Sequence, residues 1–393
     1  MATLFLILIY ITFISLGLPD SILGSGWSVM YPELGVSLSS AGIISMIISS
    51  GTIISSLMSG RLIARFTTGV LTLISVIMTA VALCGFSFAP NFIWLCLLAV
   101  PLGLGAGAVD SALNNFVAIH YEARHMSWLH CFWGVGATAG PLIMSLMLNG
   151  QGGWRNGYLI ISMIQIGLVL CLIFSLPLWK KYDRTSKNSE SETKYKPVNV
   201  FKIKGAKLTF LSFFCYCAIE MTTGLWGSSY LVQSRGLSAG QAAQWISLFY
   251  LGITIGRLLS GFISMKFTNC QLVRIGQFMI LLGILQLLLP LPNLFAMSGI
   301  CCIGLGCAPI FPSMLHETPN RFGEELSQSM MGKQMAAAYV GTTCVPPIFG
   351  LIINYVGTSI FPLFLLLILI IMVICVIISD KVIYQLESKE IKS

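Results

Sequence analysis

Charge is what this sequence has least of: across 393 residues only 9% are Asp, Glu, Lys or Arg, while 56% are hydrophobic. With a mean hydropathy of +0.87, that balance excludes an ordinary soluble globular domain and indicates an integral membrane protein. No phosphate-cradling Gly-rich loop and no soluble nucleotide domain are present, which excludes an ATP-driven pump, and no enzymatic motif stands out. The 12 cysteines are scattered through apolar segments, and neither Cys215-x-Cys217 nor Cys301-Cys302 has histidines at zinc-ligand spacing. They read as small core residues, so no metal, cofactor or disulfide is expected. The first apolar segment has no basic residue before it and runs through Tyr31 without a small-residue cleavage site, so no signal peptide is expected.

What the chain does have is hydrophobic runs of spanning length. They fall at 4–31, 39–62, 69–89, 92–120, 127–149 and 156–179, then at 207–233, 239–266, 270–290, 293–316, 325–355 and 357–379, which predicts twelve transmembrane helices. On that layout one set of loops and both tails hold Arg61, Arg65, Arg124, the basic cluster of 180–207, Lys266, Arg274, Arg321, Lys381, Lys389 and Lys392. The opposite loops hold Arg155 and Arg235. Positive residues collect on the cytoplasmic side, so both termini are expected there, in a cell membrane (inner or plasma). The formal net charge of +8 is thereby a topology signal, with the lipid bilayer and a small-molecule substrate as partners, no nucleic acid, and a monomeric protein.

The longest polar stretch, Lys180 to Lys207, reads as a basic, Ser-rich linker. It separates an N-terminal six-helix bundle (1–179) from a C-terminal bundle with a short tail (207–393), the linker proper being 180–206. The two are repeats. A shift of 201 positions lays Gly35-Val-Ser37 on Gly236-Leu-Ser238, Gly51 on Gly252, Gly60 on Gly261, Arg65-Phe-Thr67 on Lys266-Phe-Thr268 and Gly103-Leu-Gly105 on Gly304-Leu-Gly306. Further along, a shift of 205 sets Gly136 on Gly341 and Pro141 on Pro346. Parallel six-helix repeats are the plan by which secondary transporters place a substrate site between two rocking bundles.

Polar residues are distributed unevenly among these helices. The first carries Asp20, the fourth Asp110 with Asn114 and Asn115, the fifth His130, the seventh Glu220, the eighth Arg257, and the eleventh Lys333 with Gln334. An ionised group at the centre of a spanning helix costs roughly 3 kcal/mol or more unless it meets water, a partner or a proton. Helices three, six and twelve carry no mid-span charge, so some helices are expected to line a wet cavity and the others to face lipid.

These residues resemble the major facilitator superfamily, and the first half is similar to its fucose-proton symporter branch. The matching stretches are Asp20-Ser-Ile-Leu, Gly103-Leu-Gly105 through Asp110, Ala112, Asn114, Phe116 and Val117, and Trp128 to Ala137 around His130 and Phe132-Trp-Gly-Val-Gly-Ala. The resemblance implies that Asp20 and Asp110 serve proton coupling and sugar recognition, although the acid at the second position is one methylene shorter than the branch's Glu, and His130 replaces its Gln. The superfamily's loop signature between helices two and three is present in part. Gly60 and Arg65 fit, but Ala64 stands where an Asp is expected. Gly136-x-x-x-Gly140-Pro141 is similar to an antiporter motif without its following glycine pair.

Two uses of the buried acids stay open. Asp20 and Asp110, with Glu220, are the proton-carrier candidates, since a carboxyl taken out of water can load and release a proton. The competing reading is a static ion pair with Lys333 or Arg257. Substrate contacts are expected from Asp20, Asp110, Asn114, His130, Lys333 and Gln334, with Trp27, Trp133 and Trp226 as stacking surfaces; Arg65, Arg257 and Lys266 are assigned to gating or structural charge. Trp94, Trp154 and Trp179, at helix ends, are expected in the interfacial belt. The function that follows is proton-coupled symport of a sugar or similar small polar solute, with sodium as the alternative ion. The competing function is a proton-coupled antiporter exporting drugs, metabolites or lipids.

Overall fold

The computed structural model describes residues 2–121, 123–150, 152–186 and 200–390, and the regular elements among them are all helical. In the N-terminal half α1 (Ala2–Asp20) and α2 (Ile22–Glu33) together form the first span. They are followed by α3 (Ser40–Phe66), α4 (Thr68–Ser87), α5 (Phe92–His120), α6 (Ala123–Asn149) and α7 (Gly153–Ser186). The C-terminal half contains α8 (Ala206–Arg235), α9 (Ala239–Ile263), α10 (Asn269–Leu288), α11 (Asn293–His316), the short α12 (Thr318–Phe322), α13 (Glu324–Val356) and α14 (Phe361–Glu390). Among the described residues 12 helical spans are long and apolar enough to cross a membrane, six in each half. The chain is therefore an all-α, multi-pass membrane protein of two six-helix bundles.

Helix α7 continues to Ser186, beyond the apolar run that ends near Trp179. Hydropathy marks where a helix leaves the bilayer, not where the helix stops, and Lys and Arg are good helix formers. The linker expected at 180–206 thus begins as helix and, after residues 187–199, which lie outside the described residues, holds a single 3-10 turn at Val200–Lys202 before α8 starts at Ala206.

Repetition in the sequence becomes repetition in backbone contacts. A Cβ placed on Gly103 would sit 2.2 Å from the carbonyl oxygen of Ile48, and one on Gly304 would sit 2.0 Å from that of Phe249. Each pair is a crossing of the second and fourth spans of its half, and Ile48 and Phe249 are repeat-mates. Gly136 and Gly341 press in the same way on the carbonyls of Ile14 and Phe214, at 2.0 and 2.4 Å. Lipid supplies no hydrophobic drive between helices, so close backbone contact at small residues is what holds such bundles together.

The first span breaks at Pro19 and Ser21, and the break is compensated. Proline has no N–H to offer the carbonyl four residues earlier, and that carbonyl, of Ser15, instead accepts a bond from Gln165 Nε2 at 3.0 Å. At the face opposite the termini, Arg155 pairs with Glu33 and donates to the Ala89 carbonyl at 3.0 Å. Arg235 there donates to the Leu287 carbonyl at 2.6 Å. Both arginines tie loop ends together, which accounts for the two basic residues on that face. Trp94 is exposed, as expected of a belt residue, but Trp154 and Trp179 are buried. Trp154 donates to Glu33 at 2.5 Å and Trp179 packs edge-on to Phe5 at 4.6 Å, so tertiary packing overrides the interfacial preference for these two.

The crossings predict that Gly304→Ala lowers stability by about 2 kcal/mol or more, because the added methyl meets a backbone oxygen that cannot yield. Gly261→Ala should be silent, since nothing lies within 4 Å of that position. Thermal unfolding of the two variants in detergent, side by side, checks this.

Candidate functional site

The two halves meet along α2 with α8, α3 with α13, and α6 with α9, and the seam is tight at the face away from the termini. Gly24 lies against the backbone of Gly224, where a Cβ would fall 2.3 Å from its carbonyl oxygen, and Gly42 lies against Pro347. Polar stitches complete the closure. Asn354 Nδ2 donates to Ser39 Oγ at 2.6 Å, Ser145 Oγ to the Gly240 carbonyl at 2.7 Å, and Gln233 Nε2 to Tyr31 Oη at 3.2 Å. Deeper toward the termini, Asp20, Asn115, His130 and Lys333 are solvent-accessible although they stand in the interior of apolar helices. The halves thus part into a cleft that opens to the face bearing the termini.

Asp20 is the last residue of α1, at the break, with its carboxylate accepting a bond from Trp133 Nε1 at 2.8 Å. Glycines bring the two helices this close: a Cβ on Gly17 would fall 2.1 Å from the Trp133 carbonyl oxygen. The same tryptophan faces the other half. Gly134 abuts Thr254 of α9, and one turn along, the Arg257 guanidinium lies 5.2 Å from the Trp133 ring centroid. Arg257 also pairs with Glu220 of α8 at 3.5 Å, both side chains being mostly buried, and Tyr216 lies beside the pair. Tyr250 stands within reach of the charges of Glu220 and Asp20.

Asp110 occupies the next level of the cleft. Asn114, one helical turn on, donates Nδ2 to Asp110 Oδ1 at 2.9 Å, the i to i+4 pairing expected on one helix face. Asp110 is close enough for its charge to act on Asp20 and, across the seam, on Tyr339 of α13, which reaches Ser56. Neither Asp20 nor Asp110 makes an ion pair among the described residues; the static pairing with Lys333 or Arg257 weighed from the sequence is absent there, and it is Glu220 that holds Arg257.

Several expected contributors are placed elsewhere. Trp27 is buried and donates to the Leu38 carbonyl at 2.7 Å, so it forms no cavity wall. Trp226 is buried against Phe349 and donates to the Pro346 carbonyl at 2.8 Å. Gln334 is also buried and exchanges bonds with Thr318 at 2.9 and 3.1 Å. A tryptophan's distance from an acid along one helix cannot say whether its ring meets a cleft or a neighbouring helix, which is why Trp133 lies in the cleft and the other two do not. His130 is exposed and edge-on to Phe13, and the ammonium of Lys333 lies 6.0 Å from the Phe201 ring at the cleft mouth. Arg65 and Lys266 are exposed at helix ends, Arg65 over the ring of Phe66. Tyr339 and Tyr250 were not anticipated; a mid-span tyrosine carries no signal in hydropathy that separates it from core.

Breaking the buried pair should be costly in one direction. Glu220→Gln leaves Arg257 uncompensated and is expected to destabilise the protein by about 3 kcal/mol, with the Glu220→Gln, Arg257→Gln double variant recovering part of that loss. Denaturation of the three variants measures the coupling.

Comparison with known proteins sets this geometry in context. A family model described as Major Facilitator Superfamily matches residues 9–332 and 208–391. A Saccharomyces cerevisiae protein, "Bypass of stop codon protein 6", is 25% identical over 308 residues, covering 70% of this chain and 62% of its own length. The Bacillus subtilis glucose/mannose transporter GlcP is 27% identical over 276 residues, covering 68% of this chain and 66% of its own length. The chain spans less than two thirds of the length of either relative. Among solved structures, an inward-facing, unoccupied bacterial homolog of the human lysosomal transporter Spinster superposes with a TM-score of 0.74 at 13% identity, over 96% of each chain. The nucleoside transporter NupG does so at 0.73, again with 13% identity, over 95% of this chain and 98% of its own. At such identity these two establish the fold alone. Two six-helix repeats, a seam closed at one face and a family model matching both halves identify this chain as a member of the Major Facilitator Superfamily.

Proposed function

We propose that this chain is a secondary active transporter that carries a neutral, hydroxyl-rich solute, a sugar or close analogue, together with a proton by alternating access. One observation carries the reading: Asp20 and Asp110 face the same cleft within reach of each other's charge, and neither has a cationic partner among the described residues. A carboxylate held permanently by a cation has nothing to load, whereas these two are available to a proton or a ligand. Their oxygens are hydrogen-bond acceptors, and Asn114 has already given a donor to Asp110, so the N-terminal wall suits solutes rich in O–H donors and repels anions. The likeness to a glucose/mannose transporter points the same way. We place the termini-bearing face in the cytoplasm of a cell membrane on the strength of its lysines and arginines. The cleft then opens inward and the seam at Gly24 and Gly224 is the closed outer side.

In this scheme solute and proton enter from outside, the halves rock about the seam, and both are released through the cleft. Asp110 is the group whose protonation conditions solute binding, Asp20 shares the proton, and Glu220 is tied to Arg257 until that pair is disturbed. The exporter reading has less behind it, because Gly140 of its motif is engaged in packing, with a Cβ there falling 2.5 Å from the Leu18 carbonyl oxygen.

Uptake of labelled glucose, mannose and deoxyhexoses into proteoliposomes tests the proposal. Addition of the transported solute should alkalinise the medium, with no dependence on sodium. Asp110→Asn should lose accumulation driven by a pH gradient while retaining solute exchange at equilibrium. Full gradient-driven accumulation by that variant would remove Asp110 from the coupling step. Drug resistance of expressing cells without alkalinisation would favour export.

A further inference from the structure

The seam holds a connection that neither acid explains alone. Trp133 of α6 uses its N–H edge on Asp20 and its ring face on Arg257 of the opposite half. Arg257 in turn reaches Glu220, but at 3.5 Å, longer than the 2.7–2.9 Å typical of a committed N–H···O pair between charges. The guanidinium is thus shared between an aromatic face in one half and a carboxylate in the other. We infer that Trp133 is the positioning residue that links the charge state of Asp20 in the N-terminal half to the Arg257–Glu220 pair in the C-terminal half. The inference rests on the proton reading of Asp20 given above.

The physical link has two parts. A bond from the indole N–H to an ionised carboxylate is charge-assisted and about twice as strong as one to a neutral acceptor. It also draws electron density onto the ring and strengthens its attraction for the cation above it. With Asp20 ionised, Arg257 is held toward Trp133 and the halves are tied across the seam. When Asp20 takes a proton both contacts weaken, and Arg257 is left to Glu220 within its own half. Other titratable or charged groups facing this cluster are Asp110 on α5, His130 and Cys131 on α6, Tyr216 and Cys217 on α8, Tyr250 on α9 and Cys307 on α11. On α7 the side chain reaching α1 at the break is the uncharged Gln165. Only Trp133 bonds to Asp20 and contacts Arg257 among the described residues.

Fluorine NMR of the full chain, labelled with 5-fluorotryptophan and placed in lipid nanodiscs, tests this without a solute. The chain has 8 tryptophans, and Trp133→Phe identifies the resonance in question. We expect that resonance to move in a single titration, as Asp20 takes up its proton, within the pH range over which the protein stays folded. The movement should disappear in Asp20→Asn, and Glu220→Gln should displace its midpoint by on the order of half a pH unit or more, as expected for charges coupled across the seam. A resonance that stays still, that titrates unchanged in Asp20→Asn, or that ignores Glu220→Gln overturns the inference. Should Asp20→Asn fail to fold, the response to Glu220→Gln decides alone. Because no gradient or solute enters the measurement, its result separates from the transport reading. A titrating Trp133 in a protein that moves no solute with protons would sink symport and keep the link, and gradient-driven uptake with a pH-silent Trp133 would do the reverse.

Discussion

Helix backbones in this protein touch where a glycine leaves out a side chain, and the rest of the structure depends on that contact. Gly103 on Ile48, Gly304 on Phe249, Gly136 on Ile14 and Gly341 on Phe214 are the same two crossings built twice. In a solvent as apolar as the side chains, such contacts take the place that hydrophobic burial holds in soluble proteins. They fix how the helices of each half sit against one another.

Small residues also locate the chemistry. Gly17 draws α1 onto α6 and sets the Trp133 N–H on Asp20, while Gly134 draws α6 onto α9 and sets the same ring against Arg257. Pro19 and Ser21 interrupt the first span at the acid, and Gln165 takes up the carbonyl that the proline strands. The outcome is an asymmetric cleft. Its N-terminal wall presents two carboxylates without cations among the described residues, and its C-terminal wall presents a carboxylate already paired with Arg257. Repeat-mates at the level of packing have diverged at the level of charge.

Much of the fold was legible in the sequence because hydropathy and charge act locally. Apolar runs of spanning length mark helices wherever they pack, and the 201-residue offset exposes the duplication before any contact is known. The site was legible in part. An intramembrane acid is conspicuous against hydrocarbon, so Asp20, Asp110 and Glu220 stood out, and the four-residue spacing of Asp110 and Asn114 puts them on one helix face; that they bond to each other is a finding of the structure. Aromatic residues gave no such signal. Trp27, Trp133 and Trp226 were all candidates for the cavity, yet two are fully buried with their N–H groups given to backbone carbonyls, and Gln334 is likewise turned inward.

What the sequence determined by itself is which segments enter the membrane, how the chain divides into two like halves, and which helices carry charges that hydrocarbon would reject. Those properties follow from composition and spacing along one strand of chain. Only the tertiary structure decided which partner each charge has, because partners come from helices far apart in sequence and are chosen by the register of glycine crossings. Arg257 could have met Asp20, Asp110 or Glu220; it meets Glu220 directly and Asp20 through Trp133. The two remaining acids, Asp20 on α1 and Asp110 on α5, are left with no ion pair among the described residues.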